Sequence, residues 1–145
     1  MNRTVDSTEQ LVTEVVVTDI RRSTEFYRLL GFQLLRDDGE FVELAWEGHH
    51  FFLAAASMFH ENHERAERSP LAFPPANVRV VVPDVDAHWQ RANALGIRVV
   101  APINDRNYGL RDFTIADPDG FGIRFASVLV TVDVHVGQAD VRDIT

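Results

Sequence analysis

Cysteine is absent from the 145 residues, and so is lysine. Without cysteine there is no disulfide framework, no thiolate nucleophile and no thiolate-ligated metal. Without lysine there is no Schiff-base chemistry, and all 14 basic residues are arginine. No apolar run approaches the roughly 20 residues that a membrane-spanning helix needs. Gly-x-Ser-x-Gly, Walker A and dinucleotide-binding fingerprints are missing too. Acidic residues outnumber basic ones by 22 to 14, for a formal charge of −8, and no basic stripe interrupts them. That balance excludes the electrostatic footprint of a nucleic-acid binder. Its field favours cationic or neutral ligands, unless the acidity serves only solubility. Residues 1–10 are polar and of mixed charge. They do not read as a signal peptide and are expected to form a frayed arm, which makes the cytoplasm the expected compartment.

What is present is ample apolar material. Hydrophobic residues make up 46% of the chain, enough for one compact unit with a real core. The pattern predicts a strand over residues 11–17. A helix capped by Asp19 or Ser23 follows, carrying Phe26, Leu29 and Leu30 on one face and stopping at Gly31. Strands are expected over 32–36, 40–46 and 49–55, separated by Asp37-Asp38-Gly39 and Glu47-Gly48 turns. Residues 56–75 are polar, end in Phe73-Pro74-Pro75, and read as a linker. A strand over 76–82 then precedes a helix over 84–95 with Trp89, Ala92 and Leu95 toward the core. Gly96 ends that helix, a strand follows over 97–101, and 102–110 reads as a loop. The stretch from Arg111 to Phe125 reads as a hairpin around Asp117-Pro118-Asp119-Gly120. Alternating valines over 128–136 predict an extra C-terminal strand before a loose tail.

The two halves repeat. Val15-Val16-Val17-Thr18-Asp19-Ile20 falls on Val80-Val81-Val82-Pro83-Asp84-Val85, and Leu30-Gly31-Phe32 falls on Leu95-Gly96-Ile97 at the same spacing. Gly48 to Leu53 matches Gly120 to Phe125 after a longer loop. The expected architecture is therefore α+β, with two strand-helix-strand-strand-strand modules whose curved mixed sheets surround a groove. The modules are residues 11–55 and 76–127, joined by the linker at 56–75, with the arm at 1–10 and the C-terminal strand and tail at 128–145. One helix covers one face of each sheet and leaves the other bare. By alternation, Val15, Val17, Phe51, Leu53, Val78, Val80, Val82, Phe113, Ile115, Ile123 and Phe125 face the helices. Val12, Glu14, Phe41, Glu43, His50, Phe52, Asn77, Arg79, Asp112, Thr114 and Arg124 face the other way. That second set mixes aromatic area with a few polar groups, as a ligand surface does, and is equally what a solvated sheet face would carry.

Phe26-Tyr27-Arg28-Leu29-Leu30-Gly31-Phe32 after Val17-Thr18-Asp19, with Asp117-Pro118-Asp119-Gly120 before Ile123-Arg124-Phe125, resembles the vicinal oxygen chelate superfamily. That group includes glyoxalase I, extradiol dioxygenases, fosfomycin-resistance enzymes and bleomycin-resistance proteins. The resemblance covers Leu11 to about Ser127 and implies the paired-module fold. It also implies a metal held by a histidine on the first strand of each module and a glutamate on the last strand. Those positions fall here on Val12, Asn77 and Arg124. Valine cannot ligate, asparagine is a weak donor and arginine repels a cation, so neither a metal nor another cofactor is expected. The departure points to the bleomycin-resistance-like branch, which Tyr108-Gly109 before Arg111-Asp112-Phe113 also resembles. That branch implies a homodimer that sequesters a drug in grooves between subunits without modifying it.

The expected ligand is a small aromatic natural product or antibiotic, cationic or neutral, with no nucleic-acid or membrane partner. Phe41 and Phe52 would supply flat contact, Trp46 and Tyr108 the rim, and Glu43, His50, Asn77, Arg79, Asp112 and Arg124 the polar groups. Asp112 or Glu43 is the expected partner of Arg124. Two other readings compete. One is an enzyme of the same fold with a rearranged metal site or metal-free acid–base chemistry, for which His50, Glu14 and Glu43 share a face. The other is a module whose groove serves only assembly. His60-Glu61-Asn62-His63-Glu64 lacks metalloprotease spacing and reads as a solvated helix. His49 and His50 point to opposite faces. His88 is expected half exposed on the second helix.

Overall fold

The computed structural model of the chain describes residues 11–58 and 76–129. The first module runs β1 (Thr13–Val17), α1 (Ile20–Leu30), β2 (Gln33–Asp37), β3 (Phe41–Trp46) and β4 (His49–Ala55), and closes on a single 3-10 turn at Ala56–Met58. The second runs β5 (Asn77–Val81), α2 (Val85–Ala94), β6 (Val99–Asp105), β7 (Leu110–Ala116) and β8 (Gly122–Val128). Each forms a four-stranded mixed sheet, ordered β1-β4-β3-β2 and β5-β8-β7-β6. The first and last strands of each module pair in parallel and the hairpins antiparallel.

The repeat holds at the level of single hydrogen bonds. Asp19 caps α1 by accepting from the Arg22 amide, and Asp84 caps α2 by accepting from Ala87. Both helices close with the same pair of bonds. The Phe32 and Ile97 amides donate to the Tyr27 and Ala92 carbonyls, while Gly31 and Gly96 donate to Arg28 and Asn93. Gly31 sits at φ +115°, and a Cβ there would lie 3.1 Å from the Trp46 ring, so only glycine suits that corner.

One apolar core joins the modules on the helix side. Val15, Val17, Phe51, Leu53, Val80, Val82, Phe113, Ile115, Ile123 and Phe125 are buried as the alternation requires. The helix faces needed correction. Leu29 and Leu95 are exposed, at 47% and 42%, and the inward positions are taken by Ser23, Tyr27 and Leu30 on α1 and by Val85 and Ala92 on α2. α1 also starts three residues ahead of Ser23, because Asp19 is the cap. β6 begins and ends later than expected, with register shifts against β7 that spacing does not reveal. β8 extends to Val128. The rest of the expected C-terminal strand, and most of the linker with His60 and His63, lie outside the described residues.

Each module grips the other through its last hairpin. Trp46, expected at the groove rim, is half-buried and packs on Phe32, Phe125 and His88. His88 is stacked on Phe125 with centroids 4.8 Å apart, and burial lowers its pKa. Reciprocally, the turn between β7 and β8 docks on α1. The Tyr27 hydroxyl donates to Asp117 Oδ2 at 2.7 Å, and the Thr18 hydroxyl donates to Asp119 at 2.7 Å. Asp117 Oδ1 accepts from the amides of Asp119 and Phe121. Burial pushes both the Tyr27 hydroxyl and the Asp117 carboxyl up.

Tyr27→Phe should therefore leave Asp117 Oδ2 buried and unpaired, lowering unfolding free energy by about 1–3 kcal/mol in urea titrations. An unchanged midpoint would show that the contact between modules does not depend on this bond.

Candidate functional site

The strand registers determine which side chains share the face away from the helices. Thr114 lies opposite Arg124, and Arg124 opposite Arg79, so the three form one row across β7, β8 and β5. The equivalent row in the first module is Glu43, Phe52 and Glu14 across β3, β4 and β1. Asp112 stands one step along β7, opposite Ala126. Asn77 opens β5 opposite Gly122.

Asp112 is the centre of the second face. It is 2% exposed and accepts from three side chains. Arg106 Nε donates to Oδ1 at 2.8 Å, and the Tyr108 hydroxyl to Oδ2 at 2.6 Å. Arg124 donates to Oδ2 from Nε at 2.9 Å and from Nη2 at 2.6 Å. The same Nη2 also donates to the Tyr108 oxygen, and the guanidinium lies over the Tyr108 ring, 5.2 Å from its centroid. Burial alone would raise the Asp112 pKa. The hydrogen bonds from Tyr108, Arg106 and Arg124 outweigh it, so the carboxyl titrates below the ordinary range. The bond to Asp112 raises the Arg124 pKa still further, and it raises that of Tyr108 as well.

Of the residues expected to form a site, Tyr108, Asp112 and Arg124 thus converge, and Asp112 rather than Glu43 is the partner of Arg124. Arg79 and Asn77 share their face but are exposed. Phe41 and Phe52 meet edge to face at 5.2 Å on the first module's face, where Glu43 is 7% and Phe52 is 5% exposed. His50 leans on Phe52 at 6.0 Å, and its Nδ1 is buried with no hydrogen-bond partner. A cavity of about 500 Å³ between the modules takes in His50 and Arg79, with Phe32, Trp46, His49 and Phe51, and none of the Asp112 cluster. Arg106 is the member of the Asp112 cluster that sequence reasoning missed. It lay in a stretch read as loop, and the only signal was its place before Tyr108-Gly109.

The residues do not fit a metal. Val12, Asn77 and Arg124 offer one weak donor and a fixed cation. His50, Glu14 and Glu43 share a face without converging. Among the described residues, no three His, Asp or Glu side chains are placed to hold an ion. None of the helices among them is long and apolar enough to cross a membrane.

Residues 9–125 match the Glyoxalase/Bleomycin resistance protein/Dioxygenase superfamily. No curated protein sequence matches. Among solved structures, a protein of unknown function from Agrobacterium tumefaciens strain C58 is 30% identical, with a TM-score of 0.63 over 88% of this chain and 100% of that one. TioX from Micromonospora sp. ML1 is 25% identical, with a TM-score of 0.63 over 83% and 99%. Lactoylglutathione lyase from Agrobacterium tumefaciens shares the fold at 19% identity, with a TM-score of 0.60 over 83% and 93%.

The Asp112 cluster makes a stability prediction. Removing one member of a buried pair costs roughly 3–5 kcal/mol. Here Arg106 and Arg124 keep side-chain exposures of 25% and 23%. Asp112→Asn should therefore cost less, about 2 kcal/mol. Because the folded pKa is depressed, this stabilisation is present above the ordinary carboxylate value and is lost as pH falls below about 4. Asp117, whose pKa is raised, acts in the opposite sense in both proteins. The difference in unfolding free energy between wild type and Asp112→Asn should thus shrink from pH 7 toward pH 3. A constant difference would show that Asp112 is not held ionised by its three donors.

Proposed function

This chain belongs to the Glyoxalase/Bleomycin resistance protein/Dioxygenase superfamily, and we propose that within it the protein is a metal-independent small-molecule binder of the bleomycin-resistance type. It holds an aromatic natural product or antibiotic on the sheet faces turned away from the helices and releases it unmodified. The observation that carries this reading is Arg124. At the position where family resemblance implies a metal-binding glutamate stands a guanidinium tied to Asp112 by two hydrogen bonds. A cation locked in that place disfavours a divalent ion by charge and offers it no lone pair. The edge-to-face pair of Phe41 and Phe52 supplies aromatic contact.

The working form in this reading is a homodimer. β1, β2, β5 and β6 are sheet edges, and Leu35, Val81, Val99 and Val128 are exposed apolar side chains on or beside them. Edges and apolar surface of this kind favour a covering partner. A second reading, metal-free acid–base catalysis, draws on one observation: the buried, unpartnered Nδ1 of His50.

Isothermal titration with Zn²⁺ or Ni²⁺ tests the first reading. The purified chain should take up no ion at a one-to-one ratio with micromolar affinity. One tightly bound ion per chain, retained in Arg124→Ala, would overturn it and move the enzymatic reading ahead. Light scattering at micromolar concentration should give twice the chain mass, and a monomer would remove the dimer from the proposal.

A further inference from the structure

Among the described residues of the second module, the face turned away from the helices carries more arginine than carboxylate. Arg79 and Arg124 stand directly opposite each other on parallel strands and point to one face. Neighbouring strands lie about 4.8 Å apart, and like charges directly opposed across them are unfavourable. Nature's usual remedy would be an acid in the next position of the row, but that position is Thr114.

The acids of residues 76–129, Asp112 apart, are engaged elsewhere. There is no glutamate among them. Asp84 caps α2, Asp86 and Asp105 bind Arg111, Asp117 accepts from Tyr27, and Asp119 binds Thr18 and Arg22. Asp112 alone faces the row, and it is shared between Arg124 and Arg106. Among the described residues of this module, the face thus sets Arg79, Arg106 and Arg124 against one carboxylate, in a chain whose formal charge is −8.

Asp112 also fixes how Arg124 is presented. It takes Nε and Nη2, which leaves Nη1 free of these contacts and held in a set direction. An oriented guanidinium beside a second, exposed one is the donor arrangement that carboxylates and phosphates bind, and the Thr114 hydroxyl extends the row.

We infer that Arg79 and Arg124 form an oxyanion subsite, so that the ligand of this face is a small molecule bearing a carboxylate or phosphate. This rests on the binding-protein reading above and narrows it. The overall acidity of the chain favours cationic or neutral ligands at long range, and the subsite would select among those that arrive by a short-range charge of opposite sign.

The test uses full-length protein labelled with ¹⁵N-arginine, in EDTA, titrated separately with benzoate, phenyl phosphate and neutral benzamide. The Nε–H signals of Arg79 and Arg124 should move with benzoate or phenyl phosphate, whichever source of oxyanion the site prefers. Benzamide should bind about tenfold more weakly, and Arg79→Gln, a change at an exposed side chain, should cost the anion about the same factor. The shifts should shrink in high salt. Equal binding of benzoate and benzamide, or anion affinity unchanged in Arg79→Gln, would overturn the subsite while leaving metal-free binding intact. Anion shifts that appear only without EDTA would overturn the metal-free reading and with it the arginine subsite. If wild type shows no shift but Glu14→Gln/Glu43→Gln does, the guanidinium groups are capped by a second copy's carboxylates and the inference fails.

Discussion

Asp117 is the hinge on which both the fold and the site turn. Its carboxylate is buried in the turn that leads into β8, where two amides of that turn donate to one oxygen and the Tyr27 hydroxyl of the other module donates to the second. The first two bonds shape the turn and thereby start β8 in its register. That register puts Arg124 across from Thr114 and Arg79. The third bond ties the turn to α1, so the hairpin bearing the cationic face is anchored in the first module's core. An ionisable group is an awkward choice for this position, since burial raises its pKa. The full set of donors around it makes the choice tolerable.

The fold was legible because its rules are local and were written twice. Two aspartate caps and two glycine stops reappear at one spacing, two alternating hairpins follow after loops of different length, and each is decided by a few neighbouring residues. What was not legible depended on the other module. Trp46 looks like a rim aromatic on its own strand, yet it faces Phe125 and His88, which no spacing within 40–55 announces. Leu29 and Leu95 look like core residues by helical period, yet Tyr27 and its bond to Asp117 set the buried stripe of α1. The β6 register failed for a different reason: its shifts against β7 arise within one module and carry no side-chain signature.

At the site, the sequence pattern named Tyr108, Asp112 and Arg124 and left the partner of Arg124 between Asp112 and Glu43. It could not name Arg106, because that side chain reaches Asp112 by folding back from a turn, with its Nη2 also bonded to the carbonyls of Pro102 and Asp112. Nor could alternation alone separate a solvated face from a functional one. The structure adds burial: Asp112 is 2% exposed and accepts four hydrogen bonds, whereas Glu14 and Asn77 on the same kind of face are exposed.

The duplicated frame also shows how one scaffold can be turned to different chemistry. Equivalent rows hold Glu43, Phe52 and Glu14 in one module and Thr114, Arg124 and Arg79 in the other. A metal at such a row would polarise a bound oxygen and acidify a bound water. Arginine supplies charge and directed N–H groups only. With its pKa raised further by Asp112, Arg124 does not give up a proton at any ordinary pH and cannot act as an acid or a base. Tyr108 is pushed in the same direction by the same carboxylate. On the proposed reading the cluster holds and orients a ligand, because neither Arg124 nor Tyr108 gives up its proton readily beside Asp112. Holding without reacting is the simplest use of a metal-type position that has been given to a guanidinium.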